Sequence, residues 1–262
     1  MTILIEINDD GTARLKLNRP DVHNAFNSQM INDLHQAFIA VDNNPEIKVL
    51  ILTGEGESLS AGADLNWMKQ AADYSDAENM KDAVLLSDML NAFYNLEVLT
   101  IACAKRAVMG GGLGLIACAD IVIADEKSRF AFSEVKLGLI PATISPFVIK
   151  AIGGRHAKRY FQTAEKIDVK RAYEIGLVHE IISSITEMDV VLDELLLQVK
   201  SNAPKAMRNS KKLVNDFEDQ EIANDLRMDT AKRIAKARAS SEAKEGLSAF
   251  FEKRKADWSK DV

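Results

Sequence analysis

Three consecutive glycines, Gly110-Gly111-Gly112, stand between a β-prone run, Leu96 to Ala104, and an apolar run with helical spacing. No other feature narrows the fold as much. Glycine at a helix start lets the backbone approach a ligand closely, and the first N–H groups of a helix have no intrahelical acceptor. With the positive end of the helix dipole, such a turn can hold developing negative charge. It can equally serve only to pack a helix tightly. A second small-residue turn, Leu59-Ser60-Ala61-Gly62-Ala63-Asp64-Leu65, follows the apolar strand Val49 to Thr53 and again opens a helical pattern. Two turns of this kind can each aim one N–H at a single point, which is how backbone makes an oxyanion hole.

The rest of the chain reads as strands alternating with helices. Residues 3–7 and 12–18 alternate apolar and polar around Asn8-Asp9-Asp10-Gly11, a hairpin signature. Asn27 or Ser28 can cap a helix over 29–43 whose inner face is Met30, Ile31, Leu34, Phe38 and Val41. Ile47 to Thr53, Leu96 to Ala104, Ile121 to Asp125 and Arg129 to Phe132 read as strands. Residues 64–95 are helical but broken at Tyr74-Ser75-Asp76, and their mixed charge and methionines predict a segment that partly covers a site. Pro141 is expected to begin a further helix. Past Ala157 helical patterns dominate, Pro204 marks a helix start, and the chain becomes rich in Lys, Arg, Asp and Glu. The reading is an α/β core over 1–200 and a helical region over 201–262.

Composition removes several classes of function. With 262 residues the chain can bury one large core. No apolar run reaches the roughly 18 residues of a membrane span. Met1-Thr2-Ile3-Leu4-Ile5-Glu6 reads as a strand rather than a signal peptide. The net charge of −6 speaks against a general nucleic-acid binder. The four histidines are scattered and form no metal-ligand spacing with Cys103 or Cys118, so no metal site is expected. Both cysteines lie in apolar surroundings and read as reduced core residues of a cytoplasmic protein.

Taken together, Asn18-Arg19-Pro20 with Asn24-Ala25, Ser60-Ala61-Gly62-Ala63-Asp64-Leu65, Gly110-Gly111-Gly112, Ala119-Asp120-Ile121, Glu134 to Pro141, Ala172 to Val178 and Phe250-Phe251-Glu252-Lys253-Arg254 occur in one order across nearly the whole chain. In these pieces and in their order the sequence resembles the crotonase, or enoyl-CoA hydratase/isomerase, superfamily. The resemblance implies a spiral of ββα units with a C-terminal helical oligomerisation region, and trimers that often pair into hexamers. It implies stabilisation of a thioester enolate on an acyl-CoA substrate, with no cofactor beyond the coenzyme A of the substrate itself. By motif position the oxyanion donors are the N–H groups of Ala63 and Gly111, and the acid–base is Glu134. A carboxyl among Phe132, Val135 and Leu137 is expected to be poorly solvated, which favours a raised pKa. The coenzyme would meet Ala61, Asp64 and Leu65, with Val22 on the flanking loop and Phe250 and Lys253 from a neighbouring subunit. Asp21 stands where relatives often carry Lys, which shifts phosphate binding onto Arg19 and Lys253.

Two departures bear on the reaction. Many hydratases carry a second glutamate where this chain has Gly114. Its loss favours a one-glutamate mechanism, as in Δ3-Δ2-enoyl-CoA isomerases. Yet Ser133 to Pro146 also resembles a bacterial branch assigned as methylglutaconyl-CoA and isohexenylglutaconyl-CoA hydratases of leucine and terpenoid catabolism, and that branch shares the glycine. Gly114 is then expected to leave room for a large acyl group, with Thr143 or Ser145 helping to hold water. The expected function is hydration of a branched or carboxylated enoyl-CoA. The alternatives are an isomerase, or a non-catalytic CoA- or RNA-binding member of the fold. Lys105-Arg106, where glycine is usual at 106, can pair with a distal substrate carboxylate or form a solvated loop or subunit contact.

Overall fold

Residues 1–260 are described by a computed structural model. The alternating segments pair as an antiparallel hairpin of β1 (Ile3–Ile7) and β2 (Thr12–Leu17), with Ile3 opposite Leu17. β2 then pairs in parallel with β3 (Val49–Gly54). The sheet continues in chain order through β4 (Leu99–Ala104), β6 (Ile121–Asp125) and β9 (Glu180–Ile182). A smaller sheet holds β5 (Ala107–Met109), β7 (Arg129–Ala131) and β8 (Ile167–Asp168).

Parallel neighbours need crossovers, and helices supply them. Of the two candidate caps, Asn27 is used: its side chain accepts the Met30 N–H at 2.9 Å, and α1 (Ser28–Asp42) follows. Its five predicted inner residues are all buried, and Phe38 stacks on Phe93 of α3 (Asp76–Tyr94) with ring centroids 4.6 Å apart. The break at Tyr74-Ser75-Asp76 separates α2 (Leu65–Ala71) from α3, because Ser75 and Glu78 form a reciprocal capping box there.

The coil is a repeated unit of long strand, short strand and helix. β2 is followed by a single bridge at Phe26 and then α1. β3 is followed by bridges at Ser60 and Ala63 and then α2, and β4 by β5 and α4 (Gly111–Ala117). β6 is followed by β7, a short 3-10 turn (Glu134–Leu137) and α5 (Ser145–Thr163), and α6 (Val169–Glu174) stands between β8 and β9. Each short segment pairs in parallel with that of an adjoining repeat: Phe26 with Ala63, Ser60 with Val108, β5 with β7. The repeat lies in pairing geometry, and no recurring residue pattern marks it.

Two expectations need correction. β4 begins at Leu99 rather than Leu96, because the Leu96 N–H turns back to the Phe93 carbonyl and closes α3. Pro141 begins no helix. Ala142 and Ser145 donate to Ile140 and Ala142 in turns, and α5 starts at Ser145 with Pro146 in its first turn, where a missing N–H costs no helical bond.

The chain separates into two compact units, one of Met1–Leu96 with Thr100–Met188, the other of Glu97–Leu99 with Asp189–Val262. The division falls within α7 (Ile185–Lys200), ahead of the composition change near 200. The second unit also carries α8 (Pro204–Phe217), α9 (Asn224–Arg238) and α10 (Ser241–Glu252), and Pro204 is the first residue of α8. Among the described residues no helix is long and apolar enough to cross a membrane.

Buried polar side chains tie the repeats together. Asp120 accepts the Thr100 N–H at 2.8 Å and its hydroxyl at 3.0 Å, joining the start of β4 to that of β6. Asn24 is fully buried and left-handed, with φ +54°. Its side-chain Oδ1 accepts the Arg19 N–H at 2.8 Å, and its side-chain amide donates to the Glu55 and Ser58 carbonyls, each at 2.9 Å. Asn24→Ala strands three backbone groups, one of them in a fully buried bond, and puts a residue less tolerant of positive φ in their midst. We expect a loss of about 2–4 kcal/mol in denaturant unfolding. A loss under about 1 kcal/mol would mean that water or a rearranged loop replaces these bonds.

Candidate active site

The two small-residue turns meet because Ser60–Asp64 is bonded along both edges. On one edge the Ala61 N–H donates to His23, the Phe26 N–H to Gly62 at 2.7 Å, and the Asp64 N–H to Phe26 at 2.8 Å. On the other, the Ser60 N–H donates to Ala107 and the Met109 N–H to Ser60. Ala63 sits between the two Phe26 bonds, and among the described residues its own N–H has no acceptor. Gly110, the N-cap of α4, gives its N–H to Ala131. The next N–H, of Gly111, is the first of the helix and has no intrahelical acceptor.

The three glycines have three separate reasons. Gly110 adopts φ +46°, ψ −115°, a conformation that side-chain-bearing residues avoid. A Cβ there would lie 3.3 Å from Glu134 Oε1 and 3.9 Å from Gly62 Cα. A Cβ on Gly111 would press the Phe26 ring at 3.0 Å, and one on Gly112 would meet Ser60 Cβ at 2.8 Å. The second turn, the triple glycine and Glu134 therefore converge on one point of the first unit.

Glu134 brings a carboxyl to that point. It stands at the start of the turn after β7 with the fully packed Phe132 just before it. Burial pushes its carboxyl above the ordinary glutamate range, opposed only in part by a backbone hydrogen bond. Leu137, expected to help, is 60 % exposed. Oε2 is buried without a partner, one of two such side-chain atoms among the described residues, the other being Trp67 Nε1. A buried carboxylate oxygen left unpaired is costly to the fold and available to a substrate proton. No described cation, Lys136 included, pairs with it.

The coenzyme candidates divide. Ala61 and Leu65 are exposed and Val22 is 41 % exposed. Asp64 is buried, and its carboxylate caps α2 by accepting from Asn66 and Trp67. Arg19 is engaged within the protein: its guanidinium bonds Asp64 Oδ2 at 2.7 Å and also the Ala25 carbonyl, and this contact holds the Asp64 carboxyl below its ordinary range against the effect of burial. A phosphate would have to compete with Asp64 for it. Phe250 and Lys253 belong to the second unit, where Phe250 is 76 % exposed and Lys253 ends α10 in a left-handed conformation. Arg106 is left-handed too, with φ +49°, which accounts for the glycine usual at that position. Burial lowers the pKa of Lys105, while the charge of Glu55 opposes the shift.

The space expected at Gly114 is absent. A Cβ on Gly114 would lie 2.3 Å from Ile144 Cγ2 and 2.8 Å from Ile144 Cβ. Thr143 and Ser145 are the residues that the sequence puts forward, and the one between them fills the position. Ser145 gives its hydroxyl proton to the Ala142 carbonyl at 2.8 Å. A groove of about 500 Å³ between the start of α1 and α3, lined by Ser28, Tyr74, Glu78, Asp82 and Leu85, shares no residue with the site. Among the described residues no three His, Cys, Asp or Glu side chains gather where they could hold a metal ion.

This coil, with two backbone donors and one buried carboxyl at its strand-to-helix junctions, is the crotonase fold. The family described as enoyl-CoA hydratase/isomerase matches residues 8–261, and the chain belongs to that family, an enzyme of the crotonase superfamily. It is similar to the crystal structure of an enoyl-CoA hydratase from Shewanella pealeana, at 40 % identity and a TM-score of 0.94 over 98 % of this chain and 96 % of that one. An enoyl-CoA hydratase/isomerase from Marinobacter aquaeolei is 32 % identical, with a TM-score of 0.93 over 99 % of each chain. A short-chain-enoyl-CoA hydratase of Clostridium acetobutylicum is 30 % identical over 94 % of this chain and 93 % of its own length.

A carboxyl whose folded-state pKa is raised removes stability as pH climbs from its unfolded value through the folded one. Glu134→Gln is therefore expected to raise Tm at pH 7, with the gain vanishing below about pH 4.3, where the glutamate is neutral in both states. A lower Tm for the variant at pH 7 would mean that the charged carboxylate has partners.

Proposed function

We propose that the protein is an enoyl-CoA hydratase that adds water across the C2–C3 double bond of a branched enoyl-CoA, without a cofactor. The observation that carries this reading is the Glu134 carboxyl, whose Oε2 is buried and unpartnered and whose Oε1 lies beside Gly110. The substrate carbonyl oxygen lies between the N–H groups of Ala63 and Gly111. The Glu134 carboxylate takes a proton from water as the water oxygen bonds to C3. The C2–C3 π electrons move toward the carbonyl, and the resulting enolate oxygen is held by the two N–H groups. Glu134 returns the proton to C2, so one carboxyl serves both halves and the sum is the addition of H₂O. Each oxyanion donor is worth about 2.7–4 kcal/mol of barrier. Ala61 and Leu65, exposed beside the hole, would meet the coenzyme with Val22 close by in sequence to Asn24. Phe250 and Lys253 would do so from another protomer.

A second reading has its own observation. With Ile144 in place of a second carboxylate, water has one polar side chain fewer to hold it, and a one-base transfer from C2 to C4 of a 3-enoyl-CoA needs no water at all. Loss of the enoyl-thioester ultraviolet absorbance on adding crotonyl-CoA distinguishes hydration. Glu134→Gln should lower its rate about 10²–10⁴-fold with little change in thioester affinity. The acid limb of kcat/KM should lie above the ordinary glutamate pKa, because the base must be ionised, and should vanish in the variant. A fall of less than about threefold would remove Glu134 from the chemistry.

Assembly is part of the same proposal. The second unit exposes Leu247, Phe250 and Phe251, the two rings at 76 % each, a surface that a trimer or hexamer would cover. Deleting the chain from Phe250 onward should weaken both self-association and CoA affinity. A full-length protein that light scattering finds monomeric, with CoA affinity intact, would refute the shared site.

A further inference from the structure

Gly114 and Ile144 are a complementary pair. The Gly114 N–H donates to the Gly110 carbonyl at 3.1 Å, so the two glycines stand one helical turn apart, about 5.4 Å. The first faces the Glu134 carboxyl, and the second faces Ile144, with Leu90 Cδ1 at 3.6 Å. Rotating the Ile144 side chain would not clear the space, because its Cβ, fixed by the backbone, is already 2.8 Å from the place of a Gly114 Cβ. That backbone is tied in turn: the Ile144 carbonyl accepts the Val148 N–H at 3.1 Å as α5 begins. Ile144 is 2 % exposed and packs against α4 at Gly114, four residues along the chain from the glycine that faces Glu134.

We propose that Ile144 is the specificity-determining residue of this site. It closes the place where a second carboxylate would stand, and it gives the acyl pocket an apolar wall near Glu134. Acyl groups that are small or branched and apolar around C3 fit such a wall. A longer chain meets Ile144, and an acyl carboxylate placed there would lose its water with no cation supplied in return. This inference rests on Glu134 as the single acid–base of the site.

The test has a packing arm and a selectivity arm. Gly114→Ala should lower Tm by several degrees, and Ile144→Ala in the same chain should recover part of that loss, beyond the sum of the two single changes, because it removes the 2.3 Å Cγ2 contact and leaves the 2.8 Å Cβ one. Simple additivity would overturn the pairing. For selectivity, the kcat/KM ratio of trans-2-octenoyl-CoA to crotonyl-CoA should rise at least about tenfold in Ile144→Ala, through KM rather than kcat. Ile144→Val, which keeps the branch, should shift it less. Calorimetric affinities of octanoyl-CoA and butyryl-CoA should move in the same sense. That binding measurement needs no turnover, so it separates failure of this inference from failure of the hydratase reading. An unchanged preference in a folded Ile144→Ala protein, in binding and in turnover, would overturn the proposal.

Discussion

Five backbone hydrogen bonds along the two edges of Ser60–Asp64 hold the site in being. Without them the second turn and the triple glycine are merely two loops, 48 residues apart from Ala63 to Gly111 in the chain. With them, each repeat of the coil is locked in register against its neighbour, and the N–H of Ala63 is left between two engaged groups with nowhere to donate. Asn24 supports this from behind, and Arg19 does so through Asp64. Ser60 adds a side-chain hydrogen bond to the Asn24 carbonyl at 3.0 Å. The polar residues around the hole are therefore mostly scaffolding. On the proposed mechanism the chemistry is left to main chain and one carboxyl.

That division explains what could be read from residues alone. Strands, hairpin and first helix were legible because their signals are local: alternation, a capping side chain, a five-residue inner face. The glycine turns were legible because small residues at a strand end restrict what can follow. Glu134 was legible in its apolar neighbourhood, although of those neighbours Phe132 is buried and Leu137 is exposed. What stayed hidden depends on distant partners. Arg19 looks like a free cation until Asp64, 45 residues on, is seen against it. Ile144 looks like any core isoleucine, and Gly114 like an opening, until the two are brought within van der Waals distance by α4 and the start of α5. Pro141 misleads because a proline can precede a helix by several residues as readily as start one.

Satisfaction of buried polar groups is nearly complete around the site, and the exception is informative. Asn24, Asp64, Thr100 and Asp120 all have partners with ordinary geometry. Glu134 Oε2 has none. A fold that satisfies the first four and leaves the fifth has been shaped by something other than its own stability. Burial keeps the carboxyl poorly hydrated, which raises its affinity for a proton.

On the proposed mechanism both oxyanion donors are main-chain groups, which the genetic code barely reaches. Any amino acid but proline supplies the same N–H at position 63, so substitutions there change the surroundings of the hole and not its chemistry. At position 111 glycine is demanded by the ring of Phe26, a matter of room rather than reactivity. Lineages carrying this coil can therefore drift widely in the helices that follow each turn, trying new acyl pockets while the electrophilic centre stays inherited with the hydrogen-bond register. On the same proposals, a single codon change at 134 removes the proton carrier, and one at 144 redraws the pocket. Diversification of substrate is thus exposed to mutation in a way that enolate stabilisation is not.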